Sequence, residues 1–191
     1  MKIGLTGGIG CGKSTVGRLL EDAGFCRSDS DEIVRDLLRS DEGVVSEVIG
    51  HFGEGICADG GGIDRSKLAK IVFNDDSTLK WLESLLHPRV GEIWRARLAT
   101  QAKQNSVVEI PLLFEKNLEN AFDFVVCVFC TREQQLTRLA SKGINRQMAL
   151  ARISNQLPLN VKTARADISI FNNGSLDFLK RQTVKLLDVL N

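Results

Sequence analysis

Gly7, Gly12, Lys13 and Ser14 stand in the spacing G-x-x-x-x-G-K-[ST], within LTGGIGCGKSTVGRLL. Glycines let a backbone curl until successive N–H groups point inward, where they meet phosphate oxygens. A helix opening at this point adds the partial positive charge of its N-terminus. Lys13 is then placed to reach the β- and γ-phosphates of a nucleoside triphosphate. The Ser14 hydroxyl can ligate, together with water, a Mg²⁺ that bridges the same phosphates. The nucleotide contacts expected from this motif run through Gly10, Cys11, Gly12, Lys13, Ser14 and Thr15.

A second chemistry-bearing stretch is SDSD, Ser28 to Asp31, at the end of the second strand-like run. In a parallel sheet such strand ends gather beside the phosphate loop. Asp29 and Asp31 are two residues apart, so one can face the site while the other caps the following helix. Asp31 is the candidate general base for an acceptor hydroxyl, and Asp29 its support or a partner of Mg²⁺ through water. The alternative, two solvated caps, stays open. Glu109, in VVEIP, is a single acid ending a later apolar strand and another candidate to hold Mg²⁺ through water.

Other nucleotide chemistries fit less well. A regulatory GTPase should carry a guanine-reading N-K-x-D after a later strand, where this chain has TREQ. A motor or transporter ATPase is usually larger, with an acidic pair where only Glu109 stands. Small size, a helical block between the second and third strands and late Arg-bearing helices fit phosphoryl transfer to a small acceptor. That chemistry needs a base, an acceptor pocket and positive charge that closes over the phosphates.

Five cysteines at irregular spacing do not form a disulfide framework. Cys127 and Cys130 make one C-x-x-C inside an apolar strand-like run, where residues three apart face opposite ways, so they read as core. Cys11, beside Lys13 at a helix N-terminus, is where a thiol pKa falls and where bound ATP should shield against alkylation; an ordinary buried loop thiol is an equal alternative. His51 and His87 are the only histidines.

The elements that must position these groups follow from pattern. MKIGLTG, FCRSDSD, SVVEIPLLF, FDFVVCVFC and ADISIF read as strands. Ser14 to Ala23 has helical spacing and stops at Gly24. DEIVRDLL, EGVVSEVIGHF, RSKLAKIVF, STLKWLESLL and PRVGEIWRARLATQAK are helical, with Pro88 in the first turn of the last. EGICADGGGID reads as a flexible connection. EQQLTRLA, RQMALARISNQL and SLDFLKRQTVKLLDVL complete the helices. Strands alternating with helices predict a parallel sheet flanked by helices. The long helical block predicts an inserted subdomain over the C-terminal edge of that sheet.

The 191 residues suffice for one domain with insertions. A net charge of +1, with no basic stripe and no aromatic platform, argues against a nucleic-acid partner or an anionic membrane. The absence of a long apolar run and of a secretory pattern points to the cytosol.

Several stretches in order, LTGGIGCGKSTV, DSDEIVRDL, IDRSKLAKIVF, LLHPRV, EIPLLFE, ARISNQ and ADISIFNNGSL, resemble the dephospho-coenzyme A kinase family over nearly the whole chain. The resemblance implies a P-loop kinase fold: an α/β fold with a five-stranded parallel sheet, an inserted helical acceptor domain and a helical lid over ATP. The corresponding division is 1–30, 104–131 and 157–191 as nucleotide-binding core, 31–103 as acceptor insertion and 132–156 as lid. The reaction implied is ATP-dependent phosphorylation of the ribose 3′-hydroxyl of dephospho-CoA, by a monomer or weak homo-oligomer. By position, Asp31 is the base, Arg138 the lid arginine on ATP and Asn172 a residue near the adenine. Asp29, Arg35, His87 and Arg89 fall on the acceptor side; for His87 a packed helix cap is an equal alternative. The chain departs from the family's usual pattern at Cys11, often Ser, and at Lys142, where a second lid arginine is usual. The lid is also one residue shorter; Arg146 could compensate, but reads more simply as a solvated helix face. A nucleoside or nucleotide kinase of the same architecture, and a non-catalytic nucleotide switch, are the rival readings.

Overall fold

The computed structural model describes residues 1–72 and 74–190. In chain order the elements are β1 (Lys2–Gly7), α1 (Lys13–Asp22), β2 (Cys26–Asp29), α2 (Ser30–Ser40), α3 (Glu42–Phe52), α4 (Arg65–Val72) and α5 (Asp76–Thr100). They continue with β3 (Ser106–Glu109), β4 (Phe124–Phe129), α6 (Arg132–Ala140), α7 (Arg146–Ser154), α8 (Leu159–Arg165), β5 (Ile168–Phe171) and α9 (Leu176–Leu190). Two compact units emerge: Met1–Asp29 with Gln101–Asn191, and Ser30–Thr100.

The first unit holds all five strands, every pair parallel, in the order β2-β3-β1-β4-β5. Central parallel strands are covered on both faces and so run nearly continuously apolar. Ile3, Leu5, Val107, Val126 and Val128 are accordingly buried, with Val16 and Leu20 of α1 and Leu179 and Leu186 of α9 packed into the same core. The edge strand β5 is shielded by α9. Gln182 Oε1 accepts from the Phe171 N–H at 3.1 Å, and Gln182 Nε2 donates to the Phe171 carbonyl at 2.7 Å.

The second unit is helical. Within it α2 packs on α3 and α5, and α4 packs on α5. The predicted helix RSKLAKIVF is α4 through Val72; its last residue, Phe73, lies outside the described residues. Among the described residues no helix is long and apolar enough to cross a membrane.

Five expectations are corrected. The strand SVVEIPLLF ends at Glu109, because Pro111 has no N–H for the ladder and the chain turns there. In FCRSDSD the strand stops at Asp29, and Ser30 already begins α2. Pro88 lies inside α5 rather than opening a helix. Burial of Leu82, Leu85, Leu86, Val90, Trp94 and Leu98 along this helix outweighs the one backbone bond lost at proline. α8 was not expected; its buried position, Lys162, is charged and masks the periodicity. Lastly, the GGG loop is folded rather than merely flexible. Ile56 and Ile63 are buried, Cys57 bridges Ile63, and a Cβ on Gly62 (φ +73°) would meet the Arg39 carbonyl oxygen at 2.4 Å.

Candidate active site

The phosphate loop leaves β1 where Gly7 is in register with Val128 of β4. Gly7 has φ +141°, and a Cβ there would lie 2.0 Å from the Val128 carbonyl oxygen, so no side chain fits. Gly12 (φ +95°) is held as closely: its Cβ would fall 2.3 Å from Asn172 Nδ2. Between them the Cys11 N–H donates to the Gly8 carbonyl at 3.2 Å. Lys13 Nζ donates to the carbonyls of Gly7 (3.1 Å) and Gly8 (3.3 Å), which lays its ammonium across the loop. Ser14 is exposed, while Thr15 N–H turns back to the Gly12 carbonyl at 3.1 Å and starts α1.

Residues distant in sequence grip this loop from outside. Arg138, on α6, donates through Nη1 to the carbonyls of Gly10 (3.3 Å) and Cys11 (3.4 Å). Its Nη2 donates to the Asn172 carbonyl (3.0 Å) and Oδ1 (3.3 Å). Asn172 Nδ2 closes the ring by donating to the Cys11 carbonyl at 2.8 Å. Two glutamines complete the grip: Gln135 Nε2 donates to the Ile9 carbonyl at 2.7 Å, and Gln156 Oε1 accepts from the Ile9 N–H at 2.9 Å. Sequence reasoning assigned neither glutamine a role; uncharged side chains acting on a distant backbone leave no spacing signal. Lys142 and Arg146 are exposed.

On the other side of the loop is a buried acidic end. Asp29 and Glu109 are register partners on β2 and β3. Arg27, two residues before Asp29 and so on the same face, bridges both. Its Nε is 2.6 Å from Glu109 Oε1, and its Nη2 is 2.9 Å from Asp29 Oδ2. Burial, reinforced by the Asp29 charge, raises the Glu109 carboxyl above the ordinary carboxylate range; Arg27 and a hydrogen bond with Ser14 oppose that rise. Gly17 of α1 makes room for this carboxylate, since a Cβ there would sit 2.1 Å from Glu109 Oε1. Arg27 was missed because its role depends on which strand pairs with β2. The hydroxyl and carboxylate oxygens of Ser14, Glu109 and Asp29 form the hard-oxygen set that suits Mg²⁺ held partly through water.

The other candidates lie in the helical unit. Asp31 is exposed in the first turn of α2, and Arg35, one turn on, is 3.4 Å from Glu32. Arg89 donates to the Leu85 carbonyl at 3.0 Å and pairs with Glu47 at 2.6 Å. That pair lines a groove of about 480 Å³ with Trp81, Ser84, Leu85, Pro88 and Glu92. Trp81 also stacks on His51, with ring centroids 3.8 Å apart. His87, half-buried on the same helix, lies outside that lining.

Comparison with known proteins places these features in context. Residues 1–177 match the family model described as CoaE, dephospho-CoA kinase. A dephospho-CoA kinase of Carboxydothermus hydrogenoformans is 41% identical over 189 residues, covering 97% of this chain and 92% of that relative. Among solved structures, TT1252 from Thermus thermophilus superposes with a TM-score of 0.81 at 35% identity, covering 100% of this chain and 98% of that one. A dephospho-CoA kinase from Campylobacter jejuni superposes with a TM-score of 0.70 at 26% identity, over 100% and 97% of the two chains.

Proposed function

The chain belongs to the dephospho-CoA kinase family, and on that premise we propose that it transfers the γ-phosphoryl group of ATP to the ribose 3′-hydroxyl of dephospho-CoA, giving coenzyme A and ADP. The observation that carries this reading is the phosphate loop itself, gripped at Gly10 and Cys11 by Arg138 and Asn172 and flanked by the Ser14–Glu109–Asp29 oxygens.

Lys13 exchanges the Gly7 and Gly8 carbonyls for β- and γ-phosphate oxygens. Arg138, in a lid spanning 132–156, adds positive charge where the transferred group becomes most anionic. Asn172 lies near the adenine. Ser14 would hold Mg²⁺ directly, with Glu109 and Asp29 reaching it through water. Held by these residues, Mg²⁺ would supply neutralisation of phosphate charge. Asp31, two residues past the end of β2, accepts the proton of the attacking hydroxyl. The insertion 31–103, with Arg35, His87 and Arg89, holds the acceptor. The reaction belongs in the cytoplasm.

Coupled ADP release tests the assignment, with dephospho-CoA beside AMP, CMP and shikimate as acceptors. We expect turnover with dephospho-CoA alone. Faster turnover with AMP or CMP would make the protein a nucleotide kinase, and no ADP with any acceptor would make it a switch.

A further inference from the structure

The thiols of Cys11 and Cys130 lie 3.4 Å apart, one in the phosphate loop and the other just past β4. Both are buried and neither is in a disulfide. The proposed phosphoryl transfer uses neither thiol. We infer that Cys11 and Cys130 are an oxidation site, a dithiol that a peroxide converts to a disulfide beneath the phosphate loop and that a thiol reductant restores.

The pair differs from the other cysteines in what each sulfur faces. Cys26 Sγ donates to Gln104 Oε1 at 2.7 Å, and Cys57 is half-exposed on the helical unit. Cys127 is buried in β4, and burial pushes its thiol up to about 12. Cys11 instead accepts a hydrogen bond from the Cys130 thiol. That bond lowers the Cys11 pKa to about 7 against the effect of burial, and the Lys13 ammonium helps. The same bond raises Cys130 and keeps it protonated. A thiolate beside a protonated thiol is the arrangement in which one sulfur attacks and the other resolves.

The steps balance. The Cys11 thiolate attacks hydrogen peroxide and breaks its O–O bond, giving a sulfenic acid and hydroxide. Cys130 then loses its proton and attacks the sulfenic sulfur, forming the S–S bond and expelling the oxygen as water. In sum, two thiols and one peroxide become one disulfide and two waters. An S–S bond spans about 2.05 Å, so the two sulfurs must close up and Cys11 must shift. The Cys11 carbonyl is held by Arg138 and Asn172, and Lys13 is two residues on. Oxidation therefore disturbs the loop where ATP binds; this consequence rests on the function proposed above, whereas the cross-link does not.

The experiment treats the reduced full chain with stoichiometric hydrogen peroxide, with and without Mg·ATP. Remaining thiols are then alkylated and peptides mapped without reduction. We expect a Cys11–Cys130 linked peptide two hydrogens lighter than its parts, slowed by ATP and reversed by dithiothreitol. Cys130→Ser should stop at a Cys11 sulfenic acid that dimedone traps. The linked protein should bind ATP roughly tenfold more weakly or worse, recovering on reduction. Oxidation of Cys26 or Cys57 while Cys11 and Cys130 stay reduced in the wild-type protein overturns the inference. A linked protein with unchanged ATP affinity overturns the control of the loop. Absence of ADP release from the fully reduced protein counts only against the proposed reaction.

Discussion

Arg27 neutralises two carboxylates with one guanidinium, and all three side chains are less than a tenth exposed. Breaking a buried pair by removing one partner leaves charge without compensation, at about 3–5 kcal/mol. Arg27→Met should therefore lower the unfolding free energy by about that amount in a urea titration, and Arg27→Lys by less, because charge is kept while the fork is lost. Equal stability of all three proteins would show that the clamp contributes nothing. Asp31 differs in being exposed, and the function proposed above gives its carboxylate the role of base. Asp31→Asn should fold normally, bind ATP normally and lose kcat by on the order of 10²- to 10⁴-fold, the range for a positioned base. Wild-type turnover in that variant would move the base elsewhere. The residues legible from spacing alone were those whose role is local; Arg138 and Asn172, which reach the loop from far along the chain, were legible only through the family resemblance. Gly12, Lys13 and Ser14 are set by spacing along one turn, whereas Arg27, Gln135 and Gln156 act on backbone or side chains that only the sheet order and chain return bring near.

At the level of elements, two short aspartate turns start helices in the inserted unit. Asp64 Oδ1 accepts from the N–H groups of Lys67 (3.2 Å) and Ser66 (2.8 Å) at the start of α4. Asp75 Oδ1 accepts from the Ser77 hydroxyl (2.7 Å) and N–H (2.8 Å) at the start of α5. These bonds hold both carboxyls below their ordinary 3.8. The folded state thus binds those protons more weakly than the unfolded chain. The stability they contribute is complete above pH 3.8 and is lost as pH falls through the depressed folded values. Asp64→Ala should lower the melting temperature at neutral pH and flatten its fall below pH 3.8; parallel acid limbs for variant and wild type would dismiss the cap. Such N-caps are written locally as Asp before a helical run, and strand identity was legible in the same way from continuous apolar stretches. Proline and buried charge defeated that reading. Pro88 is tolerated because buried apolar residues on both sides hold α5 together, and Lys162 is buried because Pro111 O (2.7 Å) and Glu115 Oε1 (2.8 Å) receive its ammonium. In both places tertiary contacts override what the residue type says alone.

For the whole molecule, the chain passes between its units only at Asp29–Ser30 and Thr100–Gln101. Ligands that bind the native state stabilise what they touch by RT ln(1 + [L]/Kd), about 2.7 kcal/mol at a hundredfold excess over Kd. With two compact units and two substrates, hydrogen exchange can therefore read each substrate's seat separately. Mg·ATP should raise protection in the phosphate loop, α6 and the segment around Asn172, all in the sheet-bearing unit. Dephospho-CoA should raise protection within Ser30–Thr100, above all from Trp81 to Arg89, where α5 lines the groove. The formal charge of +1 gives no long-range field that could mimic this pattern by loose association of the polyanionic substrates. If dephospho-CoA protects only the sheet-bearing unit, the inserted helices do not hold the acceptor, and the assignment of Arg35, His87 and Arg89 fails with it even if kinase activity is found.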